Sequence, residues 1–98
     1  MKKRLVIKRK NNNILSIENY PMVSVEWLDI ESNSSWQNLK ELEKAKLPIC
    51  ITKGHLFSQK KGITRIFGDY SKDDNDEITE IGNSTIIPNS VIVNIKKI

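Results

Sequence analysis

The chain has one cysteine, Cys50, so an internal disulfide and any multi-cysteine metal centre are excluded. It has one histidine, His55, too few for a histidine-built zinc site. Its four glycines are isolated, so no glycine-rich phosphate loop is present. No apolar run approaches the roughly 18 residues of a membrane span. Leu5-Val6-Ile7 is too short for the apolar region of a signal peptide, which predicts a cytoplasmic protein. At 98 residues the chain can bury one core and not two.

Charge is unevenly spread. The net value is +4. Lys2, Lys3, Arg4, Lys8, Arg9 and Lys10 fall within residues 1–21 against the single acid Glu18. The remaining ten basic and eleven acidic residues leave 22–98 nearly neutral. This divides the chain into a basic N-terminal arm or hairpin, 1–21, and a compact domain, 22–98. In the hairpin alternative Asn11-Asn12-Asn13 is the turn, because Asn tolerates left-handed backbone.

Val23-Ser24-Val25-Glu26-Trp27 alternates strictly and predicts a strand with Val23, Val25 and Trp27 on the core face. Ser34 and Gln37 match a capping box, predicting a helix from there to about Lys46 with Trp36, Leu39 and Leu42 facing the core. Leu47-Pro48 ends it. Four or so strands follow: from Pro48 with Gly54 as a bend or bulge, across a Lys60-Lys61-Gly62 turn into Ile63–Tyr70, a weak strand beginning at Ile78 and Ile81 and turned at Gly82-Asn83-Ser84, and, after Ile86-Ile87-Pro88 and a tight connection at Asn89-Ser90, a last strand from Val91. In the last strand Val91, Val93 and Ile95 are expected on one face. The faces of Ile63–Tyr70 are ambiguous. The whole reads as α+β: a small, strongly bent antiparallel β-barrel, SH3-like or OB-like, with one helix after the first core strand covering an open side.

Val25-Glu26-Trp27-Leu28-Asp29, then Trp36, Cys50, Gly54-His55-Leu56 and Ile87-Pro88 before a β-branched terminal strand form a layout over residues 22–98. It resembles that of small uncharacterised proteins of bacteriophages and prophages. The resemblance implies origin and architecture, and makes host takeover or counter-defence the expected setting.

Cys50 and His55 offer a thiol and a base five residues apart, but a cysteine in an apolar strand is ordinarily a small buried hydrophobe. Asp73-x-Asn75-x-Glu77 alternates oxygen donors, yet the sixth-position glycine and twelfth-position glutamate of a calcium loop are missing. No catalytic residue, metal ligand or cofactor is assigned, and the chain is read as a non-enzymatic binding protein. It is expected to inhibit a host protein or sequester a small nucleotide. Trp27, Asp29, Ser35, Trp36 and His55 are the candidate ligand residues, rimming a groove where the 29–35 connection meets the strand around His55. The alternative is a nucleic-acid-binding accessory protein, using the six basic residues from Lys2 to Lys10 for phosphates and Phe57, Phe67 or Tyr70 for stacking. No membrane partner is expected. A homo-oligomer is an open alternative.

Overall fold

The computed structural model describes residues 2–98. Five strands, β1 (Met22–Leu28), β2 (Ile49–Lys60), β3 (Ile63–Lys72), β4 (Ile78–Pro88) and β5 (Ile92–Lys97), form one antiparallel sheet in the order β4-β3-β2-β1-β5. β4 runs unbroken through Gly82-Asn83-Ser84, where a turn was expected, because Gly82 and Ser84 pair with Asp69 and Phe67 of β3; it then passes through a 3-10 turn, Asn89–Val91, into β5, which returns beside β1. β4 and β5 do not pair, so the sheet is bent but not closed. A short α-helix, α1 (Leu39–Lys44), lies between β1 and β2.

The expected alternation of β1 is present, and Val23 and Val25 are fully buried. They pack with Leu56, Ile66, Ile87, Ile92 and Ile95 in the core. Burying each such side chain contributes about 1.5–3 kcal/mol. The alternation expected for β5 fails. Ile92 and Ile95 are both buried because Val93 is an extra residue at a bulge opposite Glu26 and Trp27. The ambiguity of β3 is also resolved. Thr64 and Ile66 face the core, while Phe67 is buried on the opposite face under Tyr20 and His55. A strand covered on both faces carries no clean alternation.

The helix departs most from expectation. It starts four residues later, capped by Asn38, whose Oδ1 accepts from the Glu41 amide at 2.8 Å. Asn38–Glu41 has the same capping spacing as Ser34–Gln37, so the signal occurs twice and the later one is used. None of its residues is buried, and Trp36 is wholly exposed. It therefore does not cover an open side of the sheet. Residues 29–48 project from the body instead, their ends joined by the Asp29 amide donating to the Pro48 carbonyl. The Cα radius of gyration is accordingly 17.2 Å, with extents of 60 × 25 × 24 Å. A compact chain of this length has a radius near 13 Å.

The segment expected as arm or hairpin contains no strand among its described residues. Residues 2–7 run as a strap across the sheet. The Ile95 amide donates to the Lys2 carbonyl at 2.8 Å, the Lys2 amide to Asn94 Oδ1, and the Leu5 amide to Gln59 Oε1 at 2.9 Å. Leu5 and Ile7 pack against the core. Gln59 Nε2 donates to the Lys3 carbonyl and to Thr64 Oγ1, and Thr64 donates to Asn89 Oδ1, joining the strap to the β2–β3 turn and the 3-10 turn. Residues 11–19 then form a polar knot. Asn19, buried, accepts from the Asn11 amide and donates to the Asn13 carbonyl, and Asn13 reaches Glu77. The asparagine triplet is thus a turn, as its composition suggests, but it ends in a 3-10 turn at Ile17–Asn19 rather than a return strand.

Candidate functional site

The five residues expected to line one groove are dispersed. Trp27 is half-buried against the core, its Nε1 donating to Thr52 Oγ1 at 2.9 Å. Asp29 turns back on the Ile30 amide, and Ser35 bonds to Asn33. Trp36 stands free on the projection. His55 lies six residues along β2 from its start, about 20 Å away at the rise of a strand, and meets none of them. It stacks on Phe67 at 5.2 Å, meets Tyr70 edge-on, and its Nδ1 lies 2.9 Å from the Tyr20 carbonyl. The Cys50–His55 pair also does not form, because odd and even positions of β2 point to opposite faces. Among the described residues no three His, Cys, Asp or Glu side chains cluster as metal ligands would. Asp73 uses its carboxylate within its own turn, accepting from the Asn75 and Glu77 amides.

A different site assembles where the N-terminal segment crosses the outer face of β2 and β3. It depends on a bulge. His55 pairs with Phe67 and Leu56 with Ile66, but Ser58, not Phe57, pairs with Arg65. Phe57 is therefore the extra residue, and both Phe57 and Ser58 turn outward beside Arg65; bulges commonly re-aim side chains in this way. Phe57 is 55% exposed and stacks on Tyr20 with ring centres 5.7 Å apart. Tyr20 is held by its hydroxyl, which donates to the Ile14 carbonyl.

Around this aromatic pair is a pocket of about 400 Å³ whose wall includes Arg9, Lys60, Lys61 and Arg65. No acidic residue lines it. Lys61 and Gly62 both have positive φ, 55° and 77°, so the two-residue β2–β3 turn is of the type matched to hairpin twist, and it fixes the two lysines at the rim. The adjoining groove, about 740 Å³, adds Arg4. Among the described residues the only ion pair is Lys72–Asp76 on the far side of the β3–β4 turn. There the Lys72 ammonium is held above its ordinary pKa, first by its hydrogen bond to Asp76 and then by that carboxylate's charge. The cations around Phe57 have no such neutralising partner. Ser58 Oγ, on the floor of both grooves, is buried without a hydrogen-bond partner among the described residues. Of the six basic residues expected to meet an anion, Arg4 and Arg9 line these grooves; Lys2 and Lys3 anchor the strap by backbone bonds, and Lys8 and Lys10 are exposed.

Phe57 was recognisable as a stacking residue from its place on a strand. Tyr20, Lys60, Lys61 and Arg65 were not, since Tyr20-Pro21 reads as a chain break and Lys60-Lys61-Gly62 as a solvated turn. The alternation of Arg65 with Phe67 was the available signal. No family profile, curated protein or solved structure matches the chain. No described helix is long and apolar enough to cross a membrane.

Proposed function

We propose that the protein is a non-enzymatic binding module that takes single-stranded nucleic acid on the face around Phe57. The observation that carries this reading is an exposed, bulge-presented phenylalanine stacked on tyrosine, inside a ring of four cations with no acid among them. Aromatic faces accept bases of any identity, and cationic grooves follow the backbone. This is the nucleic-acid alternative with a changed site: the body of the domain contributes half or more of the charge, and the N-terminal segment contributes Arg4 and Arg9. Sequestration of a small nucleotide uses the same chemistry and differs only in the length of ligand required.

The finer architecture belongs to the same proposal. Four strands in meander order, with the fifth returning through a 3-10 turn onto the first, favour an open SH3-like barrel over the Greek-key OB arrangement. An origin among phage-encoded proteins, with action on a host component, rests on the motif layout alone.

The test is fluorescence anisotropy with labelled oligothymidylates of about 4 to 16 nucleotides, the footprint range of small barrels. Each neutralised phosphate contributes about −0.7 to the salt slope, so four cations predict a slope of about −3. Phe57→Ala should weaken binding about tenfold or more, the loss of one stacked base. Lys60→Gln with Arg65→Gln should flatten the slope. Salt-independent affinity, or affinity indifferent to these variants, overturns the reading. Full affinity for a mononucleotide assigns the face to a small ligand instead.

A further inference from the structure

Residues 29–48 leave the body carrying apolar side chains that nothing in the chain covers. Trp36 is wholly exposed, Leu39 is 85% exposed, and Ile30 and Leu42 are largely so. α1 is six residues long. Isolated helices shorter than about 12–15 residues are marginal in water, and most helix stability in proteins comes from burying an apolar face. Here that face is open. Apolar surface gathered on a projection in this way marks an interaction site.

The same chain carries an unfilled acceptor. An open groove of about 410 Å³ runs beside the Tyr20–Phe57 pair on the outer face of β3 and β4. Its walls are aliphatic, including Ile14, Leu15, Ile78, Ile81 and Ile86, and Arg65 is its one charged wall residue. No residue of the 29–48 projection lines it.

We infer that the occupant of this groove is the Trp36–Leu42 knob of a second copy of the chain, exchanged reciprocally about a two-fold axis. Charge supports the pairing. At 100° per residue, Glu43 borders the Leu39–Leu42 stripe while Lys40 and Lys44 lie further round the helix. The knob therefore presents a carboxylate beside its apolar face, and the groove presents the Arg65 guanidinium beside its aliphatic walls. Area supports it as well. A buried tryptophan alone covers about 150–250 Å². With the exposed Leu39 and Leu42 of the same knob, the contact made twice and the groove side counted too, the area is of the order of the roughly 1,200–2,000 Å² of stable dimers. Knob and groove are different surfaces; reciprocal exchange closes the assembly at two chains, whereas head-to-tail exchange would give larger rings or filaments. The groove shares Tyr20, Phe57 and Arg65 with the nucleic-acid face, so a knob seated there and a bound strand compete for one surface; the test of the dimer uses protein alone, so either reading can fail without the other.

The experiment is light scattering coupled to gel filtration over a wide concentration range. The wild type should run at twice the 11.3 kDa of one chain. Trp36→Asp removes the knob and Ile81→Asp blocks the groove; both positions are exposed, so the monomer fold tolerates them. Each variant alone should be monomeric, with association weakened at least about 30-fold, as expected for loss of a central tryptophan. Mixed together they can make only one of the two contacts, the knob of Ile81→Asp in the groove of Trp36→Asp, so the mixture should associate more weakly than the wild type and more strongly than either variant alone. Circular dichroism confirms that both are folded, and Ile14→Asp is the second groove variant if Ile81→Asp is not. A wild type that stays monomeric overturns the inference. So does a dimer that survives either folded variant, or a mixture that associates no more strongly than either variant alone.

Discussion

Gly54→Ala should cost the protein a large part of its stability. Gly54 lies mid-strand in β2, buried opposite Val23. A methyl group there would sit 2.5 Å from Ile66 Cγ2 and 2.9 Å from the Phe67 carbonyl oxygen. The Ile66 methyl can turn only into a core that is already filled, and the oxygen belongs to the β3 backbone. Overpacking of this kind costs about 1–3 kcal/mol, and a backbone obstacle places it at the upper end. Against this, alanine lowers the entropy of the unfolded chain, a gain of about 0.4–1 kcal/mol. The net loss is about 2 kcal/mol, which for a domain of this size lowers Tm by roughly 8–16 °C. The assay is thermal unfolding followed by far-ultraviolet circular dichroism, with Gly82→Ala as control. At Gly82 the new methyl group meets only Asp69 Cβ at 3.8 Å, an ordinary contact, so stability should be unchanged or slightly raised. A Gly54→Ala protein melting within a few degrees of wild type would refute the reasoning.

Two further outcomes follow from the polar contacts. Thr64→Val removes the hydroxyl between Gln59 and Asn89 in a fully buried position, which should cost about 1–3 kcal/mol; urea unfolding measures it, and proteolysis near residues 2–10 should quicken as the strap loosens. For Asp76→Asn, the Lys72 ammonium should titrate at lower pH once its hydrogen-bond partner loses charge. Because the Lys72 pKa is raised by folding, the stabilisation is present below the ordinary lysine range and is lost as pH rises through the raised value. The pair is exposed, so Tm at neutral pH should not move. Nitrogen-detected NMR of the lysine side chains reads the titration directly, and an unchanged Lys72 curve would contradict the assignment.

Much of the sheet was legible because its signals are local. The β1 alternation, the Lys61-Gly62 hairpin turn and the polar Asp73–Glu77 turn each depend on neighbours in sequence, whereas the helix ends at Lys44, before the expected proline stop at Leu47-Pro48. The candidate site was poorly legible because its parts come from three places. Arg9 and Tyr20 arrive with the N-terminal segment, Phe57 is turned outward by a bulge that no residue type announces, and Arg65 lies on a strand buried on both faces. Trp36 misled for a related reason. A tryptophan at a helix start is ordinarily core, but here no element of the chain lies within reach to cover it.

The amino-acid sequence by itself therefore determined a single antiparallel β domain with one short helix, its main turns, and the imbalance of charge toward the N-terminus. These follow from side-chain period, backbone preference and composition, which act over a few residues. Only the tertiary structure decided that residues 2–7 strap the sheet, that Val93 and Phe57 are bulged, and that Trp36 projects into solvent. Those outcomes depend on which distant backbone groups find partners. The Lys3 carbonyl meets Gln59, Ile95 meets Lys2, and Trp36 meets nothing, and no local pattern contains that information.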